Sequence, residues 1–286
     1  MILAFLIAFL MNGHAEPTDA YIQQNAVKFA NLEIPKQLLK NLEGKELLLL
    51  GEQHGTNEFP AYAGSIVEAL SKTQPVALGV EFPKDLQPVI DQFLATGDEN
   101  LLRATRFFQD ANFHSGRGSI AMVELLKKMR SLHLSVFCFD IPEGSPYATR
   151  DTDMAANVLE YMNAHPGTLV VTYSGNVHAR LVNGFPGAPN NINMGAEILR
   201  LAAGKLTLTN TANLNFVASQ GDIWNCMRDS NSNLGFTCDK RNLGPSFGPY
   251  ARATKWDRYY LKEHDLNDGY AHTVFIRTIS ASLPFP

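Results

Sequence analysis

The chain has 286 residues and a formal charge of −4, and it is 45% hydrophobic but only 18% charged. So much apolar material with so little net charge excludes a disordered chain, and it suffices for one large domain or two small ones without disulfide staples. The mild acidity, with a pI near 6.1, excludes the basic surface that nucleic acid or an anionic membrane would need.

Residues 2–11 form an unbroken apolar stretch, followed by Gly13 and Ala15 at the −3 and −1 positions of a cut before Glu16. A bilayer span takes about 20 residues, so the stretch has the length of a signal peptide rather than of an anchor. The expectation is an exported chain, periplasmic or secreted, with no stable membrane insertion once 1–15 is removed. Its mature part, 16–286, reads as a single domain whose C-terminal portion from about 183 is loop-rich. Periodicity then predicts a strand at 46–50, a helix at 60–71, a strand at 76–82 and helices at 84–94 and 99–109. A helix at 118–132, a strand at 134–141, a helix at 151–163 and a strand at 168–174 come next. The pattern ends with a helix at 196–203 and strands at 206–211, 216–219 and 273–280. Short buried strands alternating with amphipathic helices specify an α/β fold, a mostly parallel central sheet with helices on both faces.

Three cysteines remain to be placed. Cys226 and Cys238 lie in an Asn/Ser/Gly-rich stretch, which in an exported chain reads as a disulfide pinning a long loop. Cys138 sits in an apolar run and reads as a small buried hydrophobe.

In a parallel sheet the strands end on one edge, and ligands and catalytic groups gather there. After the first predicted strand comes Gly51-Glu52-Gln53-His54, with Glu58 shortly beyond; the second ends in Glu81. The third ends in Asp140 and leads, past a Pro/Gly turn, to Arg150-Asp151; the fourth leads to Gly175-Asn176-Val177-His178. Two imidazoles and several carboxylates suit either metal binding or metal-free acid–base chemistry. Each has an ordinary reading as well: His54 as a loop histidine, Glu52 and Glu58 as acids favouring a helix N-terminus, Asp151 as a first-turn acid, His178 as a core histidine. Glu81 resists such a reading, because a carboxylate ending an apolar strand is costly to bury without a partner. Arg150 has the wrong sign for a helix N-terminus and is expected to pair with Glu52, Glu58 or Glu81. Coincidence at one sheet edge favours a site. The G-x-S-x-G stretch at 244–248 has no strand before it and does not read as a nucleophile elbow. Tyr259, Tyr260 and Tyr270 read as packing or as a pocket rim.

The paired segments Gly51-x-x-His54 and Gly175-x-x-His178 resemble the signature of the erythromycin esterase, ChaN and TIKI superfamily. Gly55-Thr56-Asn57-Glu58-Phe59, Gly79-Val80-Glu81, Arg117-Gly118-Ser119 and the stretch from Arg150-Asp151 to Met154-Ala155 are similar to further family segments, so the resemblance covers about 46–182. It implies an α/β fold with the site at the sheet's C-terminal edge. It leaves the chemistry open, because the superfamily includes macrolide esterases, metal-dependent proteases and a haem-binding lipoprotein.

The leading expectation is a hydrolase of ester or amide bonds in a small molecule or peptide. His54 would be the general base, oriented by Glu81, and His178 would stabilise the oxyanion or protonate the leaving group. Glu52, Glu58 and Asp151 would complete the polar shell, with Arg117 and Arg150 holding carboxylates or polarising the carbonyl. In a metal-dependent variant His54, His178, Glu52 and Glu81 would hold Mn²⁺, Co²⁺ or Zn²⁺. The alternatives are a haem- or small-ligand-binding protein without turnover, and a scaffold whose strand-end polar groups are structural.

Overall fold

The computed structural model describes residues 19–109, 116–185, 187–232, 235–243, 250 and 255–286. The expected signal segment at 1–15 and the G-x-S-x-G stretch lie outside them. The first half contains α1 (Asp19–Asn25), β1 (Val27–Lys28), α2 (Lys36–Leu42), β2 (Leu47–Glu52), α3 (Glu58–Ser71) and β3 (Val76–Pro83). A 3-10 turn leads into α4 (Gln87–Thr96), followed by single turns α5 (Asn100–Arg103) and α6 (Arg106–Gln109) and by α7 (Ile120–Ser131). Then come β4 (Ser135–Asp140), α8 (Arg150–Ala164), β5 (Leu169–Gly175), α9 (Met194–Leu201), β6 (Thr211–Arg228), β7 (Phe236–Asn242), β8 (Arg258–Asn267) and β9 (Tyr270–Ile279).

The sheet runs β1-β8-β9-β6-β2-β5-β3-β4, with β7 paired to β6. Strands β4, β3, β5, β2, β6 and β9 pair in parallel, whereas β8 and β1 close one end antiparallel. At the centre, β2 shows how sequence dictates position. Its four consecutive leucines alternate in direction, Leu48 and Leu50 entering the core under α3, α4 and α7, and Leu47 and Leu49 the core under α8 and α9. An unbroken aliphatic run is what a strand covered on both faces requires. The expected α/β sheet with helices on both faces is therefore present.

The observed elements depart from the expected ones where local hydrogen bonding or polarity overrode hydrophobic pattern. Residues 206–210 form turns instead of a strand, because the Asn210 side chain accepts from the Thr207 N–H at 2.8 Å and donates to the Lys205 carbonyl at 2.9 Å. The strand begins at Thr211 and continues through 216–219 as one long element, β6. The segment from 183 onward, expected to be loop-rich, contributes α9 and four strands. Most of β7 is exposed on both faces, so it carries no alternation that a pattern could detect. Cys226 and Cys238 are directly paired across the β6–β7 hairpin and joined by a disulfide, with Cα atoms 3.9 Å apart. The bridge thus pins a hairpin rather than a loop. Cys138 is a buried free thiol. No helix among the described residues is long and apolar enough to cross a membrane, and the disulfide is compatible with export.

Where β2 hands over to α3, the chain bends at Gly55, whose φ is +85°. Its carbonyl accepts from the Trp224 N–H of β6 and from the Ser282 N–H, each at 2.9 Å. A Cβ at this position would overlap the Trp224 carbonyl. Gly55→Ala, strained in φ and sterically blocked, is expected to cost about 2–4 kcal/mol of folding stability. Urea unfolding checks this, and a loss below about 0.5 kcal/mol would show the crossing to be loose.

Candidate active site

The C-terminal ends of β2, β3, β4 and β5 bring the strand-end residues together. Gly175, which closes β5, is the floor. A Cβ there would stand 3.1 Å from His54 Nε2, 3.5 Å from His178 Cδ2 and 3.6 Å from Glu81 Oε2. Glycine is thus what lets the two imidazoles and the carboxylate converge on one point.

Glu81 is the hub. It is buried at the end of β3, and its Oε2 accepts the Gly175 N–H at 2.7 Å and lies 3.3 Å from His54 Nε2. Its Oε1 accepts from Arg150 Nη2 at 2.5 Å and from Arg117 Nη1 at 3.2 Å. Burial opposes the Glu81 charge, but His178, His54 and Arg117 together hold its carboxyl well below the usual range. Asp140, ending β4, binds the same two arginines. Arg150 engages it bidentately, Nε to Oδ1 at 2.8 Å and Nη2 to Oδ2 at 2.7 Å, while Arg117 Nη1 reaches Oδ2 at 2.8 Å. The expected pairing of Arg150 with Glu81 is present. The second partner, Asp140, was not among the residues expected to act, although it ends a buried strand just as Glu81 does.

The two histidines meet opposite surroundings. His54 has Glu52 Oε1 at 2.8 Å from Nδ1 and Glu81 at Nε2, so both ring nitrogens face carboxylates. Burial disfavours its charge, but Glu81 and Glu52 outweigh that penalty and push its pKa up to about 9. His178 has Asp151 Oδ1 at 2.8 Å from Nδ1, whereas its Nε2 faces Arg150 Nη1 at 3.0 Å. A guanidinium can only donate, so in the neutral ring the hydrogen sits on Nδ1 toward Asp151 and the lone pair on Nε2. Asp151 is itself fixed by accepting the Met194 N–H at 2.8 Å. Beneath Glu52, burial and then the carboxylate itself push the Tyr173 phenol well above its ordinary pKa, so it stays neutral.

Glu58 does not join this set. It opens α3 and accepts from the Ser280 N–H and hydroxyl at 2.8 and 2.7 Å, tying down the segment after β9. Among the described residues no three His, Cys, Asp or Glu side chains are grouped to hold a metal ion. The donor set explains why: Glu81 and Asp140 are committed to guanidiniums, and a divalent ion among His54, His178, Glu52 and Glu81 would stand beside the Arg150 cation. The expected metal set does not fit.

This network makes two outcomes testable. Arg150→Met leaves two buried carboxylates short of a cation and is expected to cost about 3–5 kcal/mol in urea unfolding. The raised pKa of His54 means that its charge stabilises the fold fully below about pH 6.5, a contribution lost as the pH rises through about 9. Urea midpoints of the parent and of His54→Gln should therefore converge toward alkaline pH, and a constant gap would overturn this assignment.

The chain matches the family model described as haem-binding uptake, Tiki superfamily, ChaN over residues 38–115, which take in β2, α3, β3 and the site residues Glu52, His54 and Glu81. No curated protein matches it in sequence. Among solved structures it is similar to a Bacillus cereus protein, with a TM-score of 0.70 and 12% identity over 94% of this chain and 98% of the other. A succinoglycan biosynthesis protein matches with a TM-score of 0.72 and 10% identity over 93% and 98%. A mutant of the erythromycin esterase EreC in its open conformation gives 0.65 and 12% over 93% and 98%. At such identities the likeness is one of fold. The chain thus carries the ChaN/Tiki superfamily signature across its first histidine turn, and shares over nearly its whole length the α/β fold of the erythromycin esterase structure.

Proposed function

We propose that the chain is an exported hydrolase of ester or amide bonds in small molecules, working by metal-independent acid–base chemistry. The observation that carries this reading is the contrast between the two imidazoles over Gly175: His54 faces a carboxylate at each ring nitrogen, whereas His178 faces Asp151 at Nδ1 and, at Nε2, the Arg150 guanidinium at 3.0 Å with Glu81 farther off at 3.7 Å. Unlike surroundings suit the two rings to unlike roles, one acid and one base. His178 is then the general base, taking a proton from water on Nε2 while Asp151 stabilises the imidazolium formed. Arg150 Nη1 donates to that nitrogen at 3.0 Å, so the attacking water takes the place of this hydrogen bond when substrate binds. His54 donates to the carbonyl oxygen as negative charge develops there, then to the leaving group. These roles are the reverse of those expected from the motifs, because a ring pinned between two carboxylates has no lone pair to accept a proton.

Beside the site, a cleft of about 280 Å³ opens from Arg117 and Asp140 between Pro83, Ile141, Pro142 and Tyr147. Its size lies near the small end of the usual ~300–1,000 Å³ for ligand pockets, and its wall, which also carries Arg106 and Glu143, supports a compact substituent with a polar group on the substrate. The family description supports a second reading, haem binding without turnover.

Hydrolysis of a panel of small esters and amides in the presence of a chelator tests the proposal. His178→Ala and Asp151→Asn should lower kcat by about 10²–10⁴-fold. Activity that needs charged His54 should fall as the pH rises through about 9. Glu52→Gln removes one of the carboxylates that raise this pKa, so the alkaline limb should move to lower pH. A Soret band on adding hemin, with no hydrolysis of any substrate, would overturn the reading.

A further inference from the structure

We propose that Tyr270, far from both histidine segments in sequence, is the positioning residue that sets the spacing of the two imidazole-bearing turns; the inference rests on the hydrolase reading above. Tyr270 starts β9 after a tight turn at Asp268 and Gly269, both with positive φ, and it is buried. Its phenol touches both turns. The ring lies against Gly51, where a Cβ would run into the Tyr270 hydroxyl and come within 3.0 Å of Cζ. The hydroxyl donates to the Asn176 carbonyl in the other turn. The same Asn176 donates its N–H to the Glu52 carbonyl at 2.7 Å, so the two turns and the phenol form one bonded triangle.

The triangle is braced from outside. Asn213 of β6 donates to the Ala179 and Gly269 carbonyls at 2.9 and 2.8 Å and accepts the Ala271 N–H at 2.8 Å. Arg180 pairs with Asp268 at 2.6 Å, and the Leu181 N–H donates to the Gly269 carbonyl at 3.0 Å. The β8–β9 turn is thereby locked to the segment that leaves His178. Burial holds the Tyr270 phenol well above its ordinary pKa, so its hydroxyl remains a donor across the working pH range. A phenylalanine would fill the same volume, but it could not hold the Asn176 carbonyl. The neighbouring Gly175 N–H bonds Glu81 and so fixes the carboxylate that faces His54. Catalytic groups need placement to a fraction of an ångström, which gives this hydroxyl a role beyond packing.

The test is a double-mutant cycle on the full chain. Tyr270→Phe should leave the fold intact but lower kcat about 10–100-fold with KM changed less than about twofold. His54, less firmly held against Glu81, should titrate below about 9 in NMR spectra of this variant. Gly51→Ala, whose Cβ would run into the Tyr270 hydroxyl and come within 3.0 Å of Ala179 Cβ, should impair activity, and Gly51→Ala/Tyr270→Phe should lose less than the sum of the two single effects. Wild-type kcat and His54 titration in Tyr270→Phe, or fully additive effects in the double variant, would overturn the inference. The histidine titration needs no substrate, so a chain that hydrolyses nothing would sink the hydrolase reading while the positioning is still judged by that signal.

Discussion

A carboxylate placed at the end of a buried strand is the constraint on which the rest of the site depends. Leaving Glu81 charged away from water would be prohibitive unless its oxygens were filled by donors. The structure fills them with a backbone N–H from β5, a guanidinium from the loop before α7, a guanidinium from the first residue of α8, and the ring of His54. Each donor comes from a different element, so meeting one electrostatic demand fixes the relative positions of β2, β3, β5, α7 and α8. Asp140 repeats the arrangement one strand further out, and the two arginines are held because both carboxylates share them.

This economy also differentiates the histidines. Glu81 lies between them, yet Arg150 is interposed on one side only, and that asymmetry turns a pseudo-symmetric pair of G-x-x-H turns into a chemically unequal pair. The glycines of the two turns serve unlike purposes. Gly175 leaves room for the His54 ring to approach, whereas Gly51 leaves room for a phenol arriving from β9, two strands away. Repetition of a motif therefore does not imply repetition of a role.

Much of the fold and site was legible in the sequence, and the remainder was hidden for identifiable reasons. The unbroken apolar runs of β2, β3, β4 and β5 announced a parallel sheet, and the polar residues at and just past the strand ends included His54, Glu81, Arg150 and His178. The misfit of a cation at a helix start led to its pairing with Glu81. Glu58 misled because its spacing from His54 suited the site, while its true partner, Ser280, is remote in sequence. The strands β7 and β8 carry too little regular apolar alternation to be seen. The protonation of His54 depends on which groups face each ring nitrogen, and no linear pattern contains that.

The bend at Gly55 has a bearing on how the chain comes to be folded. The turn carrying His54 continues into Asn57 and Glu58, whose partners, Ser280 and Ala281, are separated from them by 222 to 224 residues. The helices rest on contacts between neighbours in the chain and are free to form early. The histidine turn has a local contact between Glu52 and His54 but is tied down by these remote partners, and closing so long a loop costs entropy before any contact rewards it. Assembly of the strand-end constellation is consequently a late event. A nascent or partly unfolded chain can hold most of its helices and still lack the site, so that an assembled site reports completion of the whole molecule.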